Sequence, residues 1–255
     1  MGEHDRIRRV AERLRSAKCV AVMTGAGVSA ESRIPTFRDA MTGLWASFDP
    51  QKLATPEAFD ADPETVSRWY DFRREKCLEA IPNPGHEAIT TMQQRLASQG
   101  GQLHVLTQNV DGLHQRAGST GVVELHGSIM RWRCTKTGAR ITDLPIPLPT
   151  YPMPSASGGL LRPDVVWFGE TLPEDALQAA FDAAKSCDLF FSVGTSSMVY
   201  PAAGFAHLAS KRGAMLVEVN PQRTELSMFA DFVLTGPSGE VLPEVVRAAF
   251  GHTSE

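Results

Sequence analysis

The chain has 255 residues, enough for one large domain or a domain with a sizeable insertion. Its 42% apolar content and formal net charge of −4, with no long basic run, fit a soluble globular protein and argue against nucleic acid as the main ligand. No apolar run is long enough to span a bilayer, and the four cysteines (Cys19, Cys77, Cys134, Cys187) lack paired short spacing, so they read as reduced thiols of a cytoplasmic protein.

The opening residues lack a signal-peptide core, and Ile7, Val10, Ala11 and Leu14 instead mark an amphipathic helix near 5–16. A buried parallel strand is expected at 19–24, running into the loop Gly25-Ala26-Gly27-Val28-Ser29-Ala30. Glycines there permit a tight turn and the close approach of a phosphate. Residues 41–79 carry helix signals without a strand, and a helix follows near 85–98. The next strands, near 103–107 and 122–125, run into Gln108-Asn109-Val110-Asp111 and into His126-Gly127. Residues 127–164 are rich in Pro, Gly and Ser, and Val165-Val166-Trp167-Phe168-Gly169 reads as an apolar strand ended by a glycine. Helices near 173–185, 202–211 and 240–249 then alternate with strands near 188–193, 214–219 and 231–234.

That alternation predicts an α/β fold, a Rossmann-like doubly wound parallel sheet covered on both faces. Ligands of such sheets sit at the carboxyl ends of the strands. The Gly25 loop, Gln108-Asn109, Gly194-Thr195-Ser196 and Asn220 all fall there. The two stretches outside the alternation predict a smaller second domain built from insertions 41–79 and 127–164, beside a main domain of 1–40, 80–126 and 165–255.

Singly, these polar residues have ordinary roles. Asn109 and Asp111 suit a turn and a helix cap, an arginine such as Arg38 is most often solvated, and a histidine beside a glycine is usually structural. His126 gains weight because it follows a strand ending at the same sheet edge, and a histidine is suited to general-base work at neutral pH.

Taken together, the run from Gly25 to Arg38, the run from Thr107 to His114, and His126-Gly127 closely resemble the sirtuin family of NAD-dependent protein deacylases. The resemblance covers about Val20 to Val245. It implies NAD as cofactor and an acyl-lysine protein or peptide as partner, with no membrane or nucleic acid, and a monomer. It implies that His126 is the catalytic base, assisted by Asn109 and Asp111. It places NAD against Gly25, Ala26, Gly27, Ser29, Ala30, Pro35, Phe37, Arg38, Gln108, Asn109, Val110 and Asp111. Gly194, Thr195, Ser196, Asn220, Pro221, Gln222 and Ser238 would hold the adenosine side. The implied reaction has the acyl oxygen attack the nicotinamide ribose, nicotinamide leave, and the acyl group end on ADP-ribose.

On the substrate side, Val165, Val166, Trp167, Phe168 and Gly169 match the segment that pairs with an extended peptide, and Val199 matches the strand on its other side. Backbone pairing gives affinity without demanding a sequence. Tyr70 and Arg73, at i and i+3, share one helix face. Normally such a pair is a half-buried tyrosine and a solvated arginine. Here Tyr-x-x-Arg resembles the signature of class III, desuccinylase-type sirtuins: a guanidinium takes a carboxylate in bidentate fashion and the phenol adds a contact. Ala54 matches a position where a small residue widens the acyl pocket. The expected substrates are succinyl-, malonyl- and glutaryl-lysine, with acetyl-lysine also admitted.

The resemblance breaks at two places. Most sirtuins hold zinc with two Cys-x-x-Cys pairs. Here Cys134 remains, Thr137 stands at its partner position, and Met153-Pro154-Ser155-Ala156-Ser157 has no cysteine, so no zinc is expected and Trp132 and Leu148 should pack that lobe instead. Arg33 stands where the family has glycine, a place that suggests positive φ. An NAD glycohydrolase or ADP-ribosyltransferase of the same fold is the competing reading, although a hydrolase needs neither Tyr70 nor Arg73. A non-enzymatic NAD- or acyl-lysine-binding module would have no need of His126 and Asn109.

Overall fold

The computed structural model describes residues 2–34 and 49–251. Along the chain run α1 (Glu3–Ser16), β1 (Cys19–Thr24), a 3-10 turn (Ala26–Ser32), α2 (Pro50–Leu53), α3 (Pro56–Ala61), α4 (Pro63–Glu79), α5 (Pro84–Ser98), β2 (Gln102–Thr107), α6 (Leu113–Arg116) and β3 (Val123–Glu124). Next come β4 (Gly127–Cys134), β5 (Arg140–Ile141), β6 (Leu161–Val165), α7 (Glu174–Ser186), β7 (Leu189–Val193), α8 (Ala202–Lys211), β8 (Met215–Asn220), β9 (Phe232–Thr235) and α9 (Ser238–Phe250).

The main sheet has the order β3-β2-β1-β7-β8-β9 with every pair parallel, the doubly wound arrangement predicted. β1 and β7 are buried at every position, so continuous apolar runs are what a strand covered on both faces requires. One face packs on α1, α5 and α9 through Val10, Leu14, Ile89, Met92 and Val245. The other packs on α7 and α8 through Ala180, Ala184, Phe205 and Ala206. Chain order reverses between β1 and β7, so the loops after these two strands face each other across the crevice where such sheets bind ligands.

A second, antiparallel sheet of order β5-β4-β6 packs with α3 and α4 around a third apolar cluster that includes Phe59, Trp69, Tyr70, Trp132, Leu148 and Trp167. Trp132 and Leu148 are buried there, as expected. The passage between the sheets is made at His126-Gly127. Gly127 has φ 76°, and a Cβ on it would lie 2.0 Å from the Asp164 carbonyl oxygen, so only glycine allows β4 to start against β6 there.

The strand expected at Val165–Gly169 lies earlier. β6 is Leu161–Val165, and residues 166–169 leave the ladder in an extended stretch and turn. The sequence Leu161-Arg162-Pro163-Asp164-Val165 hides a strand because it carries a proline and two charges. Proline is tolerated because β6 is an edge, paired only to β4. The buried charges are neutralised: Arg162 pairs with Glu170 at 2.6 Å, and Asp164 with Arg140 at 2.9 Å and Arg131 at 3.2 Å.

Candidate active site

The loops at the carboxyl ends of the main sheet are stitched together by backbone hydrogen bonds. Gly25 N–H donates to Val193 O (3.0 Å), Gly27 N–H to Gly194 O (2.8 Å), Gln108 N–H to Thr24 O (2.9 Å) and Gly194 N–H to Val219 O (2.9 Å). The contact between the two glycine loops has no room for side chains. A Cβ on Gly27 would meet Gly194 Cα at 2.7 Å, and one on Gly194 would meet Val28 N at 2.4 Å. Side chains extend the stitching: Gln108 Nε2 donates to Thr195 Oγ1 (3.1 Å), and Asn220 Nδ2 to Thr195 O (2.9 Å).

Beneath this edge lies a buried polar network centred on Ser29. Its hydroxyl donates to Asp111 Oδ2 at 2.8 Å and accepts from Asn109 Nδ2 at 3.0 Å. The other Asp111 oxygen accepts from Leu113 N–H at 2.9 Å, capping α6. Burial raises the Asp111 carboxyl above its ordinary value, and the bonds from Leu113 and Ser29 work against that rise. His86 Nδ1 accepts from Asn83 N–H (3.3 Å), so its Nε2 carries the proton toward Ser29 Oγ, 3.4 Å away. Thr24 Oγ1 donates to Thr107 Oγ1 (2.9 Å) and so accepts from His114 Nε2 (2.8 Å), which leaves His114 Nδ1 a buried bare lone pair. The two imidazoles meet edge to face, centroids 4.9 Å apart. A second proton on either ring would face a donor or nothing. Burial pushes His86 down to about 4 and His114 to about 3, the latter helped by its neighbour.

His126, just past β3, turns Nδ1 to the Gln108 carbonyl at 2.9 Å. A carbonyl only accepts, so Nδ1 carries the proton and Nε2 presents its lone pair. Burial lowers the His126 value, partly offset by that hydrogen bond, so the ring is neutral at pH 7. Its own carbonyl accepts from Val166 N–H at 2.9 Å, and Ala54 O accepts from Phe168 N–H at 2.9 Å. The stretch after β6 therefore runs between His126 and Ala54. On α4, Tyr70 is buried and Arg73 half-buried, with the Arg73 guanidinium carbon 4.7 Å from the Trp69 ring centroid and 5.7 Å from that of Tyr70. Both thus point to one side of the helix. Trp167 Nε1 donates to Tyr70 Oη at 2.9 Å.

Residues 25–201 match the family model described as the Sir2 family. The chain is 50% identical to NAD-dependent protein deacylase 1 of Pseudomonas aeruginosa, covering 96% of this chain and 99% of that one. A solved Sir2 homolog–NAD complex superposes with a TM-score of 0.87 at 42% identity, over 94% of this chain and 93% of the other. A Sir2–p53 peptide–NAD+ complex does so with a TM-score of 0.80 at 31% identity, over 92% and 95%.

The chain belongs to the Sir2 family. As a sirtuin it brings together Gly25, Ala26, Gly27, Ser29, Gln108, Asn109, Asp111, Gly194, Thr195 and Asn220 at one sheet edge, with His126 beside Gln108. Ala30, Pro221 and Gln222 are exposed at that rim. Ser238 opens α9, its hydroxyl donating to Glu31 at 3.3 Å while Gly239 N–H reaches the same carboxylate at 2.8 Å. Pro35, Phe37 and Arg38 lie outside the described residues. Val199 sits in an exposed irregular loop rather than a strand. Arg33 does adopt the left-handed conformation, φ 61° and ψ 23°. No helix among the described residues is long and apolar enough to cross a membrane.

Sequence reasoning missed Thr24 and His86, and it named Thr107 and His114 only as the ends of a run, with no role for either. The signal available for His86 was its place three residues after Asn83, where it completes a capping box at the start of α5. His114 sits on the buried side of α6, where a histidine has no pattern that separates it from a solvated one.

Proposed function

We propose that this protein is an NAD-dependent protein-lysine deacylase of the desuccinylase type, removing succinyl, malonyl and glutaryl groups and also accepting acetyl. The observation that carries the acyl preference is the placement of Arg73 beside Tyr70 on one side of α4, next to the segment that Ala54 and His126 hold through backbone bonds. A guanidinium half-buried against aromatic rings is less screened than a surface one, and it presents a fork that fits a terminal carboxylate.

NAD fits the sheet edge where the Gly25 and Gly194 loops meet, Gly27 and Gly194 approaching too closely for any side chain to fill the place a dinucleotide would take. When bound, NAD supplies an electrophilic ribose carbon, a nicotinamide leaving group and a ribose hydroxyl that takes the acyl group. The residues of the chain do the rest. Ser29, Asn109 and Asp111 hold the polar wall in one arrangement. His126 takes a proton at Nε2. Residues 165–169, with Val199 opposite, align the peptide by main-chain bonds. Positioning supplies much of the acceleration, because an amide oxygen is a poor nucleophile and well-oriented reactants gain on the order of 7–11 kcal/mol.

The small lobe, assigned here to residues 41–79 and 127–164, is read as zinc-free. Supporting this, Cys134 lies among hydroxyls: Ser155 first and Thr137 next hold its thiol down at about 6, and hydroxyls of this kind do not complete a tetrahedral thiolate site. Replacing Arg73 with Met should depress desuccinylation far more than deacetylation, read as kcat/KM on matched peptides. Equal losses would remove the carboxylate clamp.

A further inference from the structure

We propose that Trp167 is a positioning residue for acyl selectivity: its indole N–H, donated to the Tyr70 oxygen, turns the phenol proton toward a carboxylate-bearing acyl group. The inference rests on the acidic-acyl reading above and deepens it.

A phenol O–H lies near the ring plane in one of two orientations. With Trp167 Nε1 donating to Tyr70 Oη at 2.9 Å, one orientation would aim hydrogen at hydrogen. The other remains, and among the described residues no hydrogen bond carries the Tyr70 proton to a protein acceptor. Burial pushes Tyr70 up to about 12, with the charge of Arg73 pulling the other way, so the proton stays on the oxygen. A buried donor without an acceptor is costly, and a ligand carboxylate beside Arg73 relieves that cost. Acetyl, lacking the carboxylate, does not.

The indole is held so that it cannot swing away. Arg162 lies over it, the guanidinium carbon 3.2 Å from the ring centroid, and the same guanidinium is bidentate to Glu170 at 2.6 and 2.9 Å. Glu170 also accepts from Trp167 N–H at 2.9 Å, and Phe59 packs 5.5 Å from the indole, centroid to centroid. Trp167 sits between Val166, tied to His126, and Phe168, tied to Ala54. One residue thus links the peptide-aligning stretch to the group that senses the acyl end.

The test compares kcat/KM for succinylated and acetylated forms of one peptide in wild type, Trp167→Phe, Tyr70→Phe and the double variant. Loss of one neutral hydrogen bond predicts a roughly fivefold fall in the succinyl-to-acetyl ratio for Trp167→Phe, carried by KM for the succinyl peptide. In the Tyr70→Phe background the same change should leave the ratio unmoved, because the two residues act as one unit. A purely structural role would lower both substrates together. Replacing Trp167 with benzothienylalanine removes only the N–H and keeps the stacking on Arg162, so the test survives if the Phe variant folds poorly. An unchanged ratio, or an equal fall in the Tyr70→Phe background, overturns the inference. If wild type shows no succinyl preference and Arg73→Met lowers both substrates alike, the acidic-acyl reading fails and this inference with it. A preference that depends on Arg73 and ignores the Trp167 N–H defeats this inference alone.

Discussion

Acidification should weaken this fold through its buried histidine pair well before the carboxylates titrate. His86 and His114 are held neutral, at about 4 and about 3, against an ordinary 6.5. At pH 5 the unfolded chain carries nearly one proton on each of these rings and the folded chain almost none. Protons therefore favour the unfolded state. The stability is fully present above pH 6.5 and is lost as pH falls toward the folded values. Between pH 7 and pH 5 each ring contributes a loss of about 2 kcal/mol, about 4 kcal/mol for the pair, a large share of a typical domain's stability. The lowered His126 and His104 add in the same direction, while the raised Asp111 opposes. Urea unfolding at pH 7 and pH 5 reads the change as a shift in midpoint. A His86→Asn/His114→Gln variant, weaker at pH 7, should show a flatter dependence over the same interval, since the difference between the two proteins isolates the imidazoles. An equal pH dependence in both would refute the assignment of neutral, unprotonatable rings to this network.

Other consequences are more local. Arg33→Gly, relieving a left-handed backbone on an exposed residue, should stabilise by about 1 kcal/mol in urea unfolding. Because His126 works as a base and burial lowers its value, the acid-side fall of kcat/KM should lie at lower pH than an ordinary imidazole would give. A fall beginning above pH 7 would contradict that geometry. Purified protein should carry far less than one equivalent of zinc, and a chelator should leave its thermal midpoint unchanged. A drop of several degrees on chelation would restore a metal to the small lobe.

The parallel sheet was legible because strands covered on both faces cannot be anything but apolar. Cys19–Met23 and Leu189–Val193 announced themselves, and the polar loops after them had to share an edge. Ser29, Asn109 and Asp111 were readable as site residues, but their mutual bonds were not, since 80 and more residues separate Ser29 from the other two. The strand at Leu161–Val165 stayed hidden because a pattern argument counts Arg162 and Asp164 as surface, and only the facing Glu170, Arg131 and Arg140 reveal that they are paired and buried. The histidine pair was invisible for a related reason. A neutral imidazole is a polar group that packs like an apolar one, and sequence spacing cannot report its partners. Arg33 was the reverse case, where one residue out of place foretold its backbone angle.

The most direct test is mass spectrometry of the products formed from NAD and a single peptide presented succinylated, acetylated or not at all. Nicotinamide and O-succinyl-ADP-ribose should form with the succinyl peptide, with a weaker parallel reaction for the acetyl peptide and nothing without peptide. Nicotinamide released at the same rate in the absence of peptide would make the protein an NAD hydrolase and contradict the roles given to Tyr70, Arg73 and the segment from Val165 to Gly169.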